Sequence, residues 1–299
     1  MRGILSPLRV VWSPSVSGLS RGGWFLLWLP ALLLLACAGG KEPDSQAFQT
    51  LFDKGRAYLQ RGNAQMALPA LQQANLLQPG HVELLTLLGL AYDQLERPVQ
   101  ALDSLEEAHR LRPLDGNLNH NLGVACLRVY GVSCTDNREE AGCSGRLDQA
   151  EAALQAALRD PALNAPEGVW FHLSLVYKQR GQTQQRVAAL EKVLAISGHY
   201  LPARLELADY YRVLGHFDLE RQQLRAALAA YPDTLVVLER LVDSLFAMGQ
   251  SGDTDPLVAL SPGERREIRT WLDRILSLAP GTLSAQRASQ RILLLDRKR

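Results

Sequence analysis

The chain has 299 residues, of which 47% are hydrophobic and 6% aromatic, and its formal net charge is +1. This composition suffices for one elongated array or two compact domains, and the scarcity of aromatic residues favours helical hairpins over a β-sandwich. The near-neutral charge argues against binding to nucleic acid or to an anionic membrane surface, because both require a clear excess of Lys and Arg.

The amino-terminal segment has the pattern of a bacterial export signal. Three arginines within the first 21 residues precede an apolar run at 24–36, which is shorter than the roughly 20 residues that cross a bilayer. The run ends in Leu-Leu-Ala-Cys, which looks like a lipobox. We therefore predict that residues 1–36 are a signal peptide and that Cys37 is acylated as the new first residue. An ordinary signal peptide cut at Ala36 or later, and a short anchor that is never cut, are the alternatives.

Acylation of Cys37 predicts where the mature chain is held. Several acyl chains make a lasting anchor, since each buried CH2 contributes roughly 0.8 kcal/mol. By the sorting rule for such lipoproteins, Ala38 in the position after the cysteine implies the outer membrane. We expect a lipid-anchored protein at the periplasmic face of that membrane, with residues 37–47 as an acylated polar tether.

The residues after the tether repeat at an interval of 34. The interval and the residue order resemble the tetratricopeptide repeat (TPR), a hairpin of two helices. Glycine and alanine let the two helices approach closely, tyrosine and leucine fill the gap between neighbouring hairpins, and proline ends the second helix. The repeated positions are Gly55, Tyr58, Ala67, Leu71, Ala74 and Pro79, followed by Gly89, Tyr92, Ala101, Leu105, Ala108 and Pro113.

One hairpin cannot bury its apolar face alone, so the repeat has to continue. We predict an all-α superhelix of about six TPR hairpins at 48–281, closed by a capping helix at 282–299. Repeat three carries an insertion at 131–145, because additional residues separate its two halves, and repeat six contains a loop of small, acidic and proline residues at 250–261. The alternative for repeat six is a helical tail outside the array.

Cys134 and Cys143 flank the polar insertion of repeat three. An exported chain meets oxidants, so we expect a disulfide, which would stabilise the fold by roughly 2.7 kcal/mol in the chain-entropy model of a ten-residue loop. Free thiols and a zinc site remain open, although three cysteines at these spacings with only His120 nearby do not match structural zinc sites. Cys126 occupies a core tyrosine position of the repeat and is expected to be buried.

No catalytic constellation emerges from the sequence. It contains no HExxH, GxSxG or CxxC motif and no phosphate-binding glycine loop, and its six histidines are scattered, mostly at expected helix starts or solvent faces. The repeats also use nearly all residues after the tether. We therefore expect no enzyme activity, no metal and no cofactor apart from the covalent lipid on Cys37. Neither a nucleic acid nor a small-molecule substrate is expected as a partner.

The first helix of each TPR hairpin lines the concave side, where polar side chains are the default on an unused surface. Apolar residues recur there, at positions counted from the glycine or alanine mark, which indicates a groove for a helical or extended partner segment. The alternative is that the tether or the cysteine loop fills the groove. Alanine at Phe52, Leu90 or Phe171 is expected to weaken partner capture without unfolding the array. The predicted groove residues are Phe52, Leu59, Leu90, His120, Val124, Leu127, Phe171 and Leu175.

The overall plan resembles a known family. A lipobox, six repeats that start shortly after the acylated cysteine, and the segment Asp-Pro-Ala-Leu-Asn-Ala-Pro-Glu at 160–167 ahead of Trp170 are similar to the type IV pilus biogenesis TPR lipoproteins. These form the PilF/PilW/Tgl pilotin group, and the resemblance covers roughly residues 24–250. It implies an outer-membrane pilotin that binds the PilQ secretin subunit and promotes its localisation and multimerisation for pilus assembly and motility. The alternative is an outer-membrane TPR adaptor for cell-wall hydrolases or another secretion machine.

Overall fold

The computed structural model describes residues 43–134, 143–248 and 260–296. Within these ranges the chain is helical and has no strand, so the predicted all-α fold class is confirmed. The predicted signal peptide, Cys37 and most of the 250–261 loop lie outside the described residues. The helices are α1 (Pro43–Gln60), α2 (Ala64–Leu77), α3 (Val82–Gln94), α4 (Pro98–Leu111), α5 (Gly116–Ser133), α6 (Cys143–Ala157), α7 (Pro166–Gln179), α8 (Thr183–Ile196), α9 (Leu201–Val213), α10 (Phe217–Ala230), α11 (Leu235–Met248), α12 (Pro262–Leu278) and α13 (Leu283–Asp296).

Helices α1 to α12 form hairpins, each made of a first helix, here termed the A helix, and a second, the B helix. From α2 onward every helix packs against the next one along the chain, and α13 packs against α12. Neighbouring A helices also touch, α3 with α5 and α5 with α7. Contacts that run only between neighbours are those of a TPR superhelix.

The periodic glycines lie where the two helices of a hairpin cross. A Cβ atom added to Gly55 would lie 2.4 Å from a Leu71 methyl, and one added to Gly89 would lie 2.6 Å from Cγ of Leu105. Real Cβ atoms do not approach so closely, so these helices can only pack in this way around glycine. The 34-residue period therefore arises from a glycine–leucine packing contact that recurs in successive hairpins.

The same contact recurs in repeat three despite the inserted residues. A Cβ atom on Gly123 would lie 2.6 Å from Cγ of Leu154, which is fully buried on α6. The predicted insertion at 131–145 comprises the end of α5, the beginning of α6 and residues that lie outside the description. Extra chain therefore extends the connection between the two helices and leaves their crossing unchanged.

The amino-terminal boundary differs from the prediction. Helix α1 begins at Pro43, inside the segment 37–47 that was expected to be a polar tether. Proline is favoured at the first helical position, and Asp44 in the first turn complements the positive end of the helix dipole. These two preferences outweigh the polar composition on which the tether prediction rested.

The turns between A and B helices use the left-handed backbone region. Gly62, Gly181 and Gly215 have φ angles of 71°, 68° and 72° at this position, and Glu96 takes it in repeat two with a φ of 57°. Only glycine enters this region without steric cost, so Glu96 is a strained residue at a turn that recurs between the A and B helices. The substitution Glu96→Gly relieves this strain.

The segment 160–167 joins repeat three to repeat four and is fixed to the start of α5. The Asp160 carboxylate accepts hydrogen bonds from the backbone N–H of Ala162 at 2.9 Å and of Gly116 at 2.7 Å. These two bonds, that of Ala162 first, lower the pKa of Asp160. The backbone N–H of Asn164 donates to Oδ1 of Asn117 at 3.2 Å. The segment on which the family resemblance partly rests thus holds successive hairpins together.

Candidate partner groove

A cavity of about 600 Å³ lies on the A-helix side of repeats one to three. Side chains from α1, α3 and α5 line it, and we refer to it as the groove. Its walls are largely apolar, as expected of a surface that binds another chain. The apolar lining residues are Phe52, Leu59, Val82, Leu87, Leu90 and Leu118.

Polar side chains without partners surround this apolar floor. Within the described residues, the side chains of Gln60, Gln94, Asn121 and Arg112 make no hydrogen bond or ion pair, and all four line the groove. An amide carries both donors and acceptors, so these side chains can bond to the backbone of a bound segment. The groove therefore offers apolar burial and hydrogen bonding together.

The charges around the groove nearly balance. The Arg56 guanidinium lies over the Phe52 ring at 4.3 Å and 3.8 Å from a carboxylate oxygen of Glu83. Arg112 is the second basic residue of the lining and Asp115 the second acidic one. Such a balance selects neither an acidic nor a basic partner, so apolar contact determines what fits.

Three of the predicted groove residues meet in this cavity. Leu90 is half-buried in its wall, whereas Phe52 is 3% exposed and Leu59 8% exposed. Phe52 stacks on Phe48 at 5.6 Å, and His81 covers it at 5.3 Å. Phe52→Ala is therefore expected to open a core cavity at a cost of about 3 kcal/mol or more, which corrects the expectation that this variant would spare the array.

The other five predicted residues do not line the cavity. His120, Val124 and Leu127 are half-buried on α5, and Phe171 and Leu175 are half-buried on α7. The Phe171 ring packs between His172 at 5.7 Å and Tyr200 at 5.5 Å. Counting positions along the helices thus identified three residues that line this cavity, whereas the other five lie outside it.

Polar contacts bridge neighbouring A helices on this side. They were not predicted, because the partners belong to different repeats at varying separations and no short motif marks them. His120 and His172 form a hydrogen bond within α5 and α7, so these two are exceptions to the expectation that the histidines lie mostly at helix starts or on solvent faces. The contacts are Arg56–Glu83 at 3.8 Å, Asp93–Arg128 at 2.7 Å, His120–His172 at 2.9 Å, Lys178–Glu206 at 2.9 Å and Asp209–Arg240 at 2.5 Å.

The two cysteines that flank the insertion are joined by a disulfide. The sulfur atoms of Cys134 and Cys143 are 1.99 Å apart and the Cα atoms 5.9 Å apart, so the end of α5 is held to the first residue of α6. Cys126 is a free thiol, and burial raises its pKa to about 12. A thiol that stays protonated is a poor nucleophile and a poor metal ligand, in keeping with a packing role.

The described part of the chain lacks two further features. It contains no group of three or more His, Cys, Asp or Glu side chains arranged to hold a metal ion. Among its helices, none combines the length and the apolar character needed to cross a membrane.

Comparison with known proteins supports the repeat assignment. The family model described as tetratricopeptide repeat matches residues 168–200, which comprise most of α7 and all of α8. No curated protein matches the chain in sequence. TPR arrays generally act as protein-interaction modules and not as enzymes, through the extended surface that stacked hairpins create.

Solved structures share the fold over most of the chain. PilW, described as a widely conserved type IV pilus biogenesis factor, is 16% identical with a TM-score of 0.59, over 81% of this chain and 98% of PilW. PilF of Pseudomonas aeruginosa is 18% identical with a TM-score of 0.60, over 84% of this chain and 100% of PilF. The TPR protein TTC0263 of Thermus thermophilus is 23% identical with a TM-score of 0.54, over 66% of this chain and 98% of TTC0263. At these identities the likeness is one of fold, and at that level the predicted resemblance to pilus biogenesis factors is confirmed.

Proposed function

We propose that this TPR chain is an outer-membrane lipoprotein that acts as a pilotin: it binds the PilQ secretin subunit and promotes its localisation and multimerisation for type IV pilus assembly and motility. The observation that carries the proposal is the groove, an apolar floor with unpaired amides across three hairpins, on a fold shared with PilW and PilF. A surface built in this way suits an apolar polypeptide segment whose backbone can bond to the amides.

The proposal assigns a separate task to each part of the chain. Acyl chains on Cys37 supply the membrane address, since burial of their methylene groups holds the protein at the bilayer. The repeat array supplies the contact with the secretin subunit. The protein then acts by raising the local concentration of subunits at the membrane where the ring assembles.

Deletion of the gene tests the function directly. We expect heat-resistant PilQ multimers to disappear or to fall strongly in the deletion strain, and to return when the wild-type gene is restored. Multimers at the wild-type level in the deletion strain would reject the pilotin assignment. They would favour the adaptor for cell-wall hydrolases or another secretion machine.

The groove assignment is tested by Leu90→Ala. Because Leu90 is only half-buried in the free protein, its truncation removes apolar contact with a partner at small cost to the fold, and we expect the affinity for the purified PilQ subunit to fall about tenfold. Leu76→Ala is the matched control, since this leucine is 81% exposed on α2 outside the groove. Equal affinities of the two variants in a calorimetric titration would remove the groove assignment.

The anchor is tested by Cys37→Ala. We expect the array to fold but to leave the outer-membrane fraction, and secretin rings to form in the wrong membrane or not at all. Membrane fractionation measures where the protein and the secretin rings are found. Mass spectrometry of the mature amino terminus shows whether the acyl group is present. Outer-membrane rings as abundant as in wild type would contradict it.

A further inference from the structure

The contact between α5 and α7 differs chemically from the other bridges between neighbouring A helices. Among the described residues, the other four bridges each pair an acidic with a basic side chain. Here Nε2 of His120 lies 2.9 Å from Nδ1 of His172. The rings are 5.0 Å apart between centroids and meet at 52°. Repeat three is thus joined to repeat four by two groups of the same type, both of which can become cations.

The site is shaped to hold these two rings. A Cβ atom on Gly168 would lie 3.3 Å from Cε1 of His120, tighter than most such contacts, so a larger residue at 168 would displace the imidazole by a few tenths of an ångström. The backbone of Gly168 also hydrogen-bonds with His172, and the ring of Phe171 packs against it. Both rings therefore have fixed positions.

One N–H···N hydrogen bond needs a hydrogen on one facing nitrogen and a lone pair on the other. The bond forms when both rings are neutral, and it survives the first proton because the charged ring can donate to the neutral one. When both rings are cations, both facing nitrogens carry hydrogens. The bond is then lost and the two charges repel each other across the contact.

No anionic group holds a proton on the pair. Burial lowers the pKa of His120, and burial followed by the nearby His120 lowers the pKa of His172 to about 4. The hydrogen bond with the Gly168 backbone raises the pKa of His172 and the charge of Arg128 on α5 lowers it, but both effects are smaller than those of burial and His120. Most charged groups on the packed elements are engaged elsewhere: Asp93 of α3 with Arg128, Glu106 of α4 with Arg146 of α6, Asp160 with Gly116, and Lys178 of α7 with Glu206 of α9. Glu167 in the first turn of α7 is the remaining carboxylate near the pair, and it is not among the groups that shift the pKa of His120 or His172.

We propose that the His120–His172 contact is an acid-labile joint, at which proton uptake loosens the A-helix side of the packing between repeats three and four. The B-helix side stays in place, because the Arg180 guanidinium at the end of α7 pairs with Asp148 and Glu151 of α6. The groove residues Leu118 and Asn121 flank His120 on α5, so the joint adjusts one wall of the groove. This holds whatever partner the groove binds.

The direction of the pH effect follows from the lowered pKa values. An unfolded histidine has a pKa of about 6.5, so the unfolded chain binds more protons than the folded one as the pH falls. The stabilisation from the neutral pair is therefore complete above pH 6.5 and is lost as the pH falls toward 4. The unfolding equilibrium constant is expected to rise on the order of thirtyfold between pH 7.5 and pH 5.0 through His172 alone.

The experiment measures denaturant unfolding of the full chain at these two pH values. His172→Gln keeps an amide that can bond to His120 but cannot take up a proton, and we expect it to remove most of the thirtyfold change. His199→Gln is the matched control, because His199 is exposed and should keep the wild-type pH dependence. The same pH dependence in His172→Gln as in wild type would overturn the proposal.

Two measurements on the wild-type chain do not depend on the stability of a variant. Titration of the histidine rings by NMR is expected to place the pKa values of His120 and His172 below those of exposed histidines, and ordinary values for both would overturn the proposal. Hydrogen exchange, corrected for the intrinsic effect of pH, is expected to rise at pH 5.0 in the first turns of α7 before it rises in α9. A uniform rise would also overturn it.

Discussion

Replacement of Glu220 by alanine is expected to lower the free energy of unfolding by about 3 kcal/mol. The Glu220 side chain is 0% exposed on α10. Its Oε2 accepts a hydrogen bond from Ser244 of α11 at 2.7 Å, and its Oε1 lies 2.9 Å from Nε of Arg212 of α9, close enough for an ionic contact but not aligned as a hydrogen bond. One carboxylate therefore connects three helices of repeats five and six.

The size of this effect follows from what the substitution leaves behind. Ser244 is fully buried and would lose its acceptor, and removal of one partner of a buried ionic contact typically costs about 3–5 kcal/mol. Arg212 is partly exposed and can turn toward water after the substitution. The expected loss of stability is therefore at the lower end of this range. Glu220→Gln keeps an acceptor for Ser244, so its free energy of unfolding should fall by less than that of Glu220→Ala.

Urea unfolding of Glu220→Ala beside Asp273→Ala provides the comparison. Asp273 also pairs with an arginine, Arg269, but both side chains are well exposed, so its loss should cost no more than about 0.5 kcal/mol. The double variant Glu220→Leu with Ser244→Ala replaces the polar contact by apolar groups and should recover most of the lost stability. Equal costs for Glu220→Ala and Asp273→Ala would show that this buried contact contributes nothing.

The repeats could be predicted from sequence because each periodic residue has a local steric task. Gly55, Gly89 and Gly123 each face a leucine of the same hairpin across a distance that admits no side chain. The contact lies within one hairpin, so it survived the insertion in repeat three. Start and end signals were weaker: the polar composition of residues 37–47 did not exclude the helix that begins at Pro43.

The groove could be predicted only in part, because helical position gives the direction of a side chain but not its depth. Phe52 points to the predicted side, yet the rings of Phe48 and His81 cover it. Gln94 and Asn121 carry no pattern of their own, and only the cavity reveals them as lining residues. The contacts between A helices were missed for another reason, since they join different repeats and their spacing is not fixed.

The contact between His120 and His172 shows this limit most clearly. The two residues are 52 positions apart, and the insertion between α5 and α6 accounts for most of the departure from the repeat interval. No rule of spacing along one helix would pair them. Pairing by sequence alone would have required the length of the insertion and the course of segment 160–167 to be known beforehand.

Gly89→Val is expected to lower the free energy of unfolding by about 3 kcal/mol, whereas the same substitution at Gly131 should raise it slightly. The new Cβ at position 89 would lie 2.6 Å from Cγ of Leu105, which is buried on α4 and has no open space to move into. Gly131 is also helical, on α5, but a Cβ there meets nothing within 4 Å. Both variants replace a helical glycine by valine, so the large difference expected between them reports mainly the crossing contact.

Repeats four and five limit how the hairpin can respond to this substitution. Ser174 and Ala208 occupy the glycine position there and are fully buried, so these hairpins accommodate a Cβ atom at that position. If the helices of repeat two could move apart to accommodate a side chain as those of repeats four and five do, Gly89→Val would lower the free energy of unfolding little more than a surface substitution does, as measured by urea unfolding. A cost of 1 kcal/mol or less would therefore mean that the glycine period records ancestry and not a packing requirement, and the steric reason given for the 34-residue interval would fail.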